Sequence, residues 1–263
     1  MGLFGATFLL GLLLASPPSS ATVSAEESVK AAVAKGDVEA AVAALRSATS
    51  ELEVVGRTDP GGAAQRLDDL ASLVLPLSPD AARTAAEAGR AWRARAFTPA
   101  GAEVAKSWSL LATIAYTTGD WKSAEASARK ALAIKRTADD TENLAVILMM
   151  QGRLADAEPA FVDAIGMRRA AGDPAKLAES LNGYAELLRQ RDRPEAAAKT
   201  FDDAVKIAAP LADSDPLLLA RLETNRAGLA KDRGRLGEAE EGVRRSIAIK
   251  EKAVAAGIPA DLS

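Results

Sequence analysis

From Trp108 onward, small and large apolar residues return at helical spacing. Trp108, Leu111, Ala112 and Ala115 fall at i, i+3, i+4 and i+7 and so share one helical face. Gly119-Asp120 interrupts the pattern with backbone suited to a sharp turn. Beyond it Trp121, Ala124, Ala128 and Ala131 line a second face. The stretch 107–135 therefore predicts two short antiparallel helices. Alanines let them approach closely, and Trp108, Leu111 and Trp121 fill the space around the contact.

The same phase recurs. Gly152, Leu154, Ala157, Phe161 and Ala164 repeat it, as do Asp192, Pro194, Ala197, Phe201 and Ala204, and then Gly234, Leu236, Ala239, Val243 and Ser246. Worn copies precede them: Gly36, Val38, Ala41, Leu45 and Ala48 form one, and a second surrounds Ala82. The phase-marking alanines Ala41, Ala82, Ala124, Ala157, Ala197 and Ala239 lie 41, 42, 33, 40 and 42 residues apart, a period that fits helix-pair repeats. The 33-residue step predicts a shortened connection near 138–141. Prolines punctuate the array. Asp173-Pro174 and Asp215-Pro216 read as an N-cap followed by the first helical residue, and Pro60 has a similar offset. Pro79 and Pro194 open second helices, where a missing N–H costs little.

This spacing resembles the tetratricopeptide repeat. That family carries Trp, Leu, a small residue and an aromatic on its first helix, then Gly, an aromatic and Ala-x-x-x-Phe-x-x-Ala on its second. Trp108, Leu111, Ala112, Gly119, Trp121, Ala124 and Ala131 stand at matching positions. Ala112 replaces the family's Gly. Ala115 and Ala128 replace aromatics, so neighbouring repeats must fill those pockets. The long period is similar to that of kinesin light chains and of many bacterial repeat proteins. The resemblance implies an all-α fold, a right-handed α-solenoid of about six antiparallel helix pairs over 26–263. Its best repeats are 105–137, 138–172, 174–212 and 216–256, with degenerate ones at 26–50 and 60–97.

Composition narrows the chemistry. Alanine makes up nearly a quarter of the 263 residues, which suits close helix packing. The net charge of −3 leaves no basic excess to neutralise phosphates, so no nucleic-acid partner is predicted. The chain has no histidine and no cysteine. This excludes Ser-His-Asp and Cys-His nucleophiles, His- or Cys-ligated metals and disulfides. No phosphate loop or dinucleotide fingerprint is present. Asp139-Asp140, Asp202-Asp203 and Glu240-Glu241 are adjacent on helices and diverge by about 100°, so they make poor two-carboxylate sites. No enzyme activity and no cofactor are predicted. Arg90, Arg93 and Arg95 read as a solvent face around a buried Trp92, which is expected to anchor the next pair.

Residues 1–25 are expected to lie outside the fold as a cleaved secretory leader. The apolar run from Leu3 to Ala15 is short for a membrane span, and Pro17-Pro18 breaks it. Small-residue endings follow at Ser19-Ser20-Ala21 and Val23-Ser24-Ala25. The expected location is therefore secreted or periplasmic. The alternative is anchoring by an uncleaved segment, since the first ten residues hold no Lys or Arg.

The resemblance also implies a function: a scaffold holding a peptide or protein surface along the concave face lined by first helices. Carried over singly, the groove positions are Ser109, Thr113, Glu142, Asn143, Val146, Asn182, Glu186 and Asn225, with Thr224 beside the last. Tyr116, Met149, Arg189 and Lys231 lie one turn further, and Arg221 lies at the entrance. Asn143, Asn182 and Asn225 fall at nearly one phase, and a row of amides can hydrogen-bond an extended backbone whatever its side chains. The other reading is that each Asn bonds within its own repeat. A basic clamp for a peptide C-terminus would use Ser109, Thr113, Asn143, Glu179 and Gly183. Only Asn143 suits it, so chaperone-tail recognition is not predicted. Met150 is expected in the core. The last helix, from Leu236, shows no capping helix after it, and its outer face is expected to meet a partner or a second copy of the chain.

Overall fold

The computed structural model describes residues 20–99 and 101–258. Among the described residues there are twelve α-helices and no strand. They divide into two compact units, one ending at Ala96 and the other starting at Phe97.

The first unit holds α1 (Ser20–Ala34), α2 (Val38–Val55), α3 (Pro60–Val74) and α4 (Pro79–Ala96), packed as the pairs α1/α2 and α3/α4. α1 begins inside the segment expected to be leader, and Ala25 is buried. The remainder of that expectation, residues 1–19, lies outside the described residues. Among the described residues no helix is long and apolar enough to cross a membrane. Asp59 accepts from the Gly62 amide and Pro60 is the first helical residue of α3, while Pro79 opens α4, as the capping pattern requires.

One expectation fails here. The residue buried among Arg90, Arg93 and Arg95 is Arg93, 2% exposed, and not Trp92. Trp92 is half-buried; its ring lies on Gly56 at the end of α2, where an added Cβ would stand 2.5 Å from it, and the Arg95 guanidinium lies over the ring at 4.6 Å. Arg93 can enter the core because Asp68 of α3 pairs with it and Gln65 accepts a second bond at 2.9 Å. A buried cation without such acceptors would be prohibitive.

The second unit holds four pairs: α5 (Ala102–Thr117) with α6 (Trp121–Ile134), α7 (Ala138–Met150) with α8 (Leu154–Ala171), α9 (Pro174–Gln190) with α10 (Pro194–Ala208), and α11 (Pro216–Asp232) with α12 (Leu236–Ala255). Gly119, Gly152 and Gly234 take left-handed φ of 73°, 73° and 71° at the turns within pairs, and Asp192 takes 55° at the fourth. Asp120, Asp173 and Asp215 cap α6, α9 and α11.

Every phase-marking alanine up to Ala197 is fully buried. Where Ala115 and Ala128 leave space, Leu144, Leu148 and Phe161 of the next pair join them in one core. The 33-residue step has two origins. The α6–α7 link is short as expected, although it lies at 135–137: three residues, against five at 97–101 and seven at 209–215, with only 172–173 shorter. The helices themselves are short, 14 and 13 residues in α6 and α7 against 18 and 17 in α8 and α9. At α12 the phase markers Leu236 and Val243 are exposed, at 68% and 44%. In α8 and α10 the counterparts of Val243, Phe161 and Phe201, pack with Leu187 and Leu229 of the pair that follows; no later helix covers Val243 among the described residues.

The Asp68–Arg93 pair makes stability depend on pH. Burial pushes the Asp68 carboxyl up to about 6, against the pull of Arg93, from an ordinary 3.8. Its Oδ1 is buried with no hydrogen-bond partner among the described residues. A carboxyl raised in the folded state binds its proton there first, so its contribution is present at low pH and lost as pH rises through about 6. Between about pH 7 and 5 the chain should gain about 1 kcal/mol from this group. Urea midpoints of Asp68→Asn should show that gain missing. An identical pH slope in both proteins contradicts the assignment.

Candidate functional site

The first helices of the second unit form a continuous layer. α5 touches α7, α7 touches α9 and α9 touches α11, whereas the second helices make no comparable contacts with one another among the described residues. The layer of closer helices is the inner side of a curve, so the candidate groove residues of α5, α7, α9 and α11 lie along one inner layer of this unit.

Hydrogen bonding sorts these residues. Ser109 and Thr113 on α5 turn their hydroxyls onto the Ala105 and Ser109 carbonyls one turn back, at 3.1 and 3.2 Å. Tyr116 is half-buried edge-on to Trp121, ring centres 5.3 Å apart. On α7, Glu142 is engaged within the fold. It accepts from Ser180 Oγ at 2.6 Å and from Arg168, a buried guanidinium that also donates to Asp139. Asn143, one residue on, is exposed. Val146 and Met149 are half-buried against the core, and Met150 is exposed at 47%, not in the core as expected. It is the last residue of α7.

On α9 and α11 the asparagines meet each other. Asn225 Nδ2 donates to Asn182 Oδ1 at 2.8 Å, joining two successive repeats. Neither expected use describes this bond. It occupies one donor and one acceptor, and the Asn182 amide nitrogen and the Asn225 oxygen keep hydrogen-bonding capacity. Glu186 is bonded to Arg189 and Gln190, and Arg189 reaches Asp232 on α11 at 2.6 Å. These bonds hold Glu186 below the usual carboxylate range although burial pushes it up. Arg221 pairs with Glu179 at 3.1 Å, and Lys231 is exposed. Thr224 bonds Ser246 of its own pair at 2.8 Å. The structure thus brings Asn182, Asn225, Glu186 and Arg189 together across α9 and α11. Asn143, Val146 and Met149 stand along α7, and Ser109, Thr113 and Tyr116 along α5.

Sequence reasoning missed the charged clamps at the turns within pairs. Glu125 of α6 accepts from Arg129, Gln151 and Arg153, and Glu158 of α8 accepts from Tyr184, Arg191 and Arg193. The three donors hold the Glu125 carboxyl low in spite of its burial. The available signal was an Arg immediately before each of three second helices, Arg153, Arg193 and Arg235, which periodicity reads only as a polar turn residue.

Residues 138–209 match the tetratricopeptide repeat family model. No curated protein matches the sequence. Among solved structures, BtubC (BKLC) from P. vanneervenii superposes with a TM-score of 0.70 at 21% identity, over 85% of this chain and 94% of that one. A Podosopora anserina putative kinesin light chain with nearly identical TPR-like repeats gives 0.63 at 16%, over 74% and 97%. Aspartyl phosphate phosphatase F from Bacillus subtilis gives 0.61 at 12%, over 89% and 70%. These likenesses are of fold.

Removing the Glu158 carboxylate should leave Tyr184, Arg191 and Arg193 without their shared acceptor. Glu158→Ala is expected to cost about 1 kcal/mol, read as a lowered urea midpoint with helicity unchanged. No loss would mean the clamp is only a solvated surface contact.

Proposed function

We propose, for a chain whose residues 138–209 belong to the tetratricopeptide repeat family and whose described helices share that family's α-solenoid fold, that α7, α9 and α11 hold an extended segment of a partner protein. Repeats of this family make the chain a protein-interaction scaffold. The finer reading rests on the Asn182–Asn225 bond. It fixes two amides in register on neighbouring helices, with a donor and an acceptor left to pair with a peptide backbone. Fixed side chains lose little entropy on binding. Asn143 extends the row onto α7, and Val146 and Met149 offer an adaptable apolar contact beside it. Glu186, Arg189 and Arg221 tune specificity through charges already paired within the fold. In this reading the scaffold is non-catalytic and uses no cofactor. It works in the secreted or periplasmic space that a cleaved leader implies.

The test is recovery of partners from a cell-envelope extract by the chain beginning at Ser20. Asn143→Ala combined with Asn182→Ala should abolish capture of a partner that the native chain retains, with the circular dichroism spectrum unchanged. Equal recovery by both proteins overturns the groove reading.

A second reading is favoured by α12. Leu236, Val243, Ile247 and Val254 are exposed at 68, 44, 40 and 43% and fall within one narrow stripe of the helix. The stripe is symmetric about its midpoint, since 236 and 254, and 243 and 247, are equidistant from 245. Two copies of α12 packed antiparallel would set Leu236 against Val254 and Val243 against Ile247, with opposed helix dipoles. One helix pair buries little area, so the association is weak. Light scattering should show mass rising with concentration, and Val243→Glu with Ile247→Glu should return it to the monomer value. A native chain monomeric at high concentration rejects self-association.

A further inference from the structure

The clamps at the turns repeat a simple rule. The residue just before the second helix is Arg153 at the α7–α8 turn and Arg193 at the α9–α10 turn. Each donates to a glutamate on the second helix of the preceding pair, both at 2.8 Å: Glu125 accepts from Arg153, and Glu158 from Arg193. The residue closing the first helix, Gln151 or Arg191, donates to the same carboxylate. Both glutamates are the fifth residue of their helix. A carboxylate from one pair thus satisfies the turn of the next.

The α11–α12 turn keeps the donors and loses the acceptor. Arg233 closes α11 and Arg235 precedes α12, matching Arg191 and Arg193. The fifth residue of α10, however, is Ala198. On the first helix, Arg226 stands 42 residues after Tyr184, the step that also separates Ala185 from Ala227 and Leu187 from Leu229. One acid is removed and one base added. A cavity of about 250 Å3 opens there beside Ala198; four arginines, Arg226, Arg233, Arg235 and Arg245, outnumber the three acids in its lining, Asp202, Glu238 and Glu241.

Most of the acids now facing these arginines are exposed at the surface. Arg235 pairs with Glu238 at 3.5 Å, the counterpart of the Arg153–Asp156 pair, which Arg153 makes in addition to Glu125. Arg233 reaches outward to Glu195, which is 79% exposed. Arg226 and Arg245 share the buried Glu223, and their further partners, Asp202 and Glu241, are at 3.3 and 3.9 Å. The Arg235–Glu238, Arg233–Glu195 and Arg245–Glu241 pairs are solvated, contribute little and exchange readily, while Glu223 holds Arg226 and Arg245 from the buried side. A guanidinium has five donors in a planar fork, and a carboxylate seated in the cavity can be held by two such forks at once.

We propose that this cavity binds a carboxylate from outside the chain, seated where Glu125 and Glu158 sit at the other turns. Its source is either an acidic side chain of a partner protein or a free dicarboxylate. The site is independent of the asparagine row, because none of its lining residues belongs to that set. The groove reading can therefore fail while this one stands.

Titration calorimetry on the full chain tests it with two probes at constant ionic strength, against chloride. One probe is succinate; the other is an acetylated and amidated Gly-Glu-Glu-Gly peptide, which carries side-chain carboxylates only. Binding of the peptide alone assigns the site to a partner's acidic segment, and binding of succinate alone to a small dicarboxylate; either result, or both, supports the proposal. Ala198→Glu supplies the missing acid from α10 itself. It should weaken binding by at least about tenfold while raising the melting temperature, so lost binding cannot be blamed on lost folding. Arg235→Ala should also lose binding, and Arg153→Ala, at a turn already satisfied by Glu125, should keep it. Failure of both probes to bind, or undiminished binding by Ala198→Glu, overturns the proposal.

Discussion

Close approach of two helices at a buried alanine is the contact on which the first five pairs depend. Ala41, Ala82, Ala124, Ala157 and Ala197 are wholly buried at such crossings. A methyl group there brings two backbones together, and anything larger would force them apart. The same economy leaves pockets beside the crossing that the pair's own side chains do not fill. Phe161, Leu144 and Leu148 fill those beside Ala115 and Ala128 from the next pair. α9 presents Gly183 to Phe161, where an added Cβ would lie 2.8 Å from the ring. Stability in the second unit is therefore shared between neighbours, as in other repeat architectures. The exposed Val243 on α12 marks where the sharing stops among the described residues.

Polar side chains then divide into those spent on the fold and those left for recognition. Glu142 is held by Ser180 and Arg168, and Arg189 by Glu186 and Asp232. These charges stiffen the inner layer and set its field without being free to rearrange. Asn143 and Lys231 are exposed on the same layer, and the Asn182–Asn225 bond orders two amides without exhausting them. A surface with its rotamers already fixed can bind an extended chain at low entropic cost.

Periodicity made the array legible. The alanine phase, the aspartate–proline entries and the glycine turns each depend on residues close in sequence, and each is found where the spacing placed it, except that the last marker, Ala239, is only half-buried. What periodicity could not convey is which polar residues meet across repeats. Arg93 reads as surface beside Trp92, yet Asp68, 25 residues earlier, draws it into the core. Asn182 and Asn225 fall at nearly one phase, which suggests parallel, separate roles, whereas they bond each other across 43 residues. The 33-residue step suggested a short link, which accounts for part of it; the shortened α6 and α7, which spacing alone did not reveal, account for the rest. The empty place beside Ala198 is visible only once Glu125 and Glu158 are seen to do the same job at the two preceding turns.

The central claim is that recognition occurs on the inner layer of first helices. Photo-crosslinking from a single reactive residue placed at 143, and separately at 247, tests it most directly. The account predicts that position 143 captures another protein in envelope extract while position 247 yields only weak links between copies of the chain. Capture of that protein from position 247, with none from 143, would contradict it and move the recognition surface to α12.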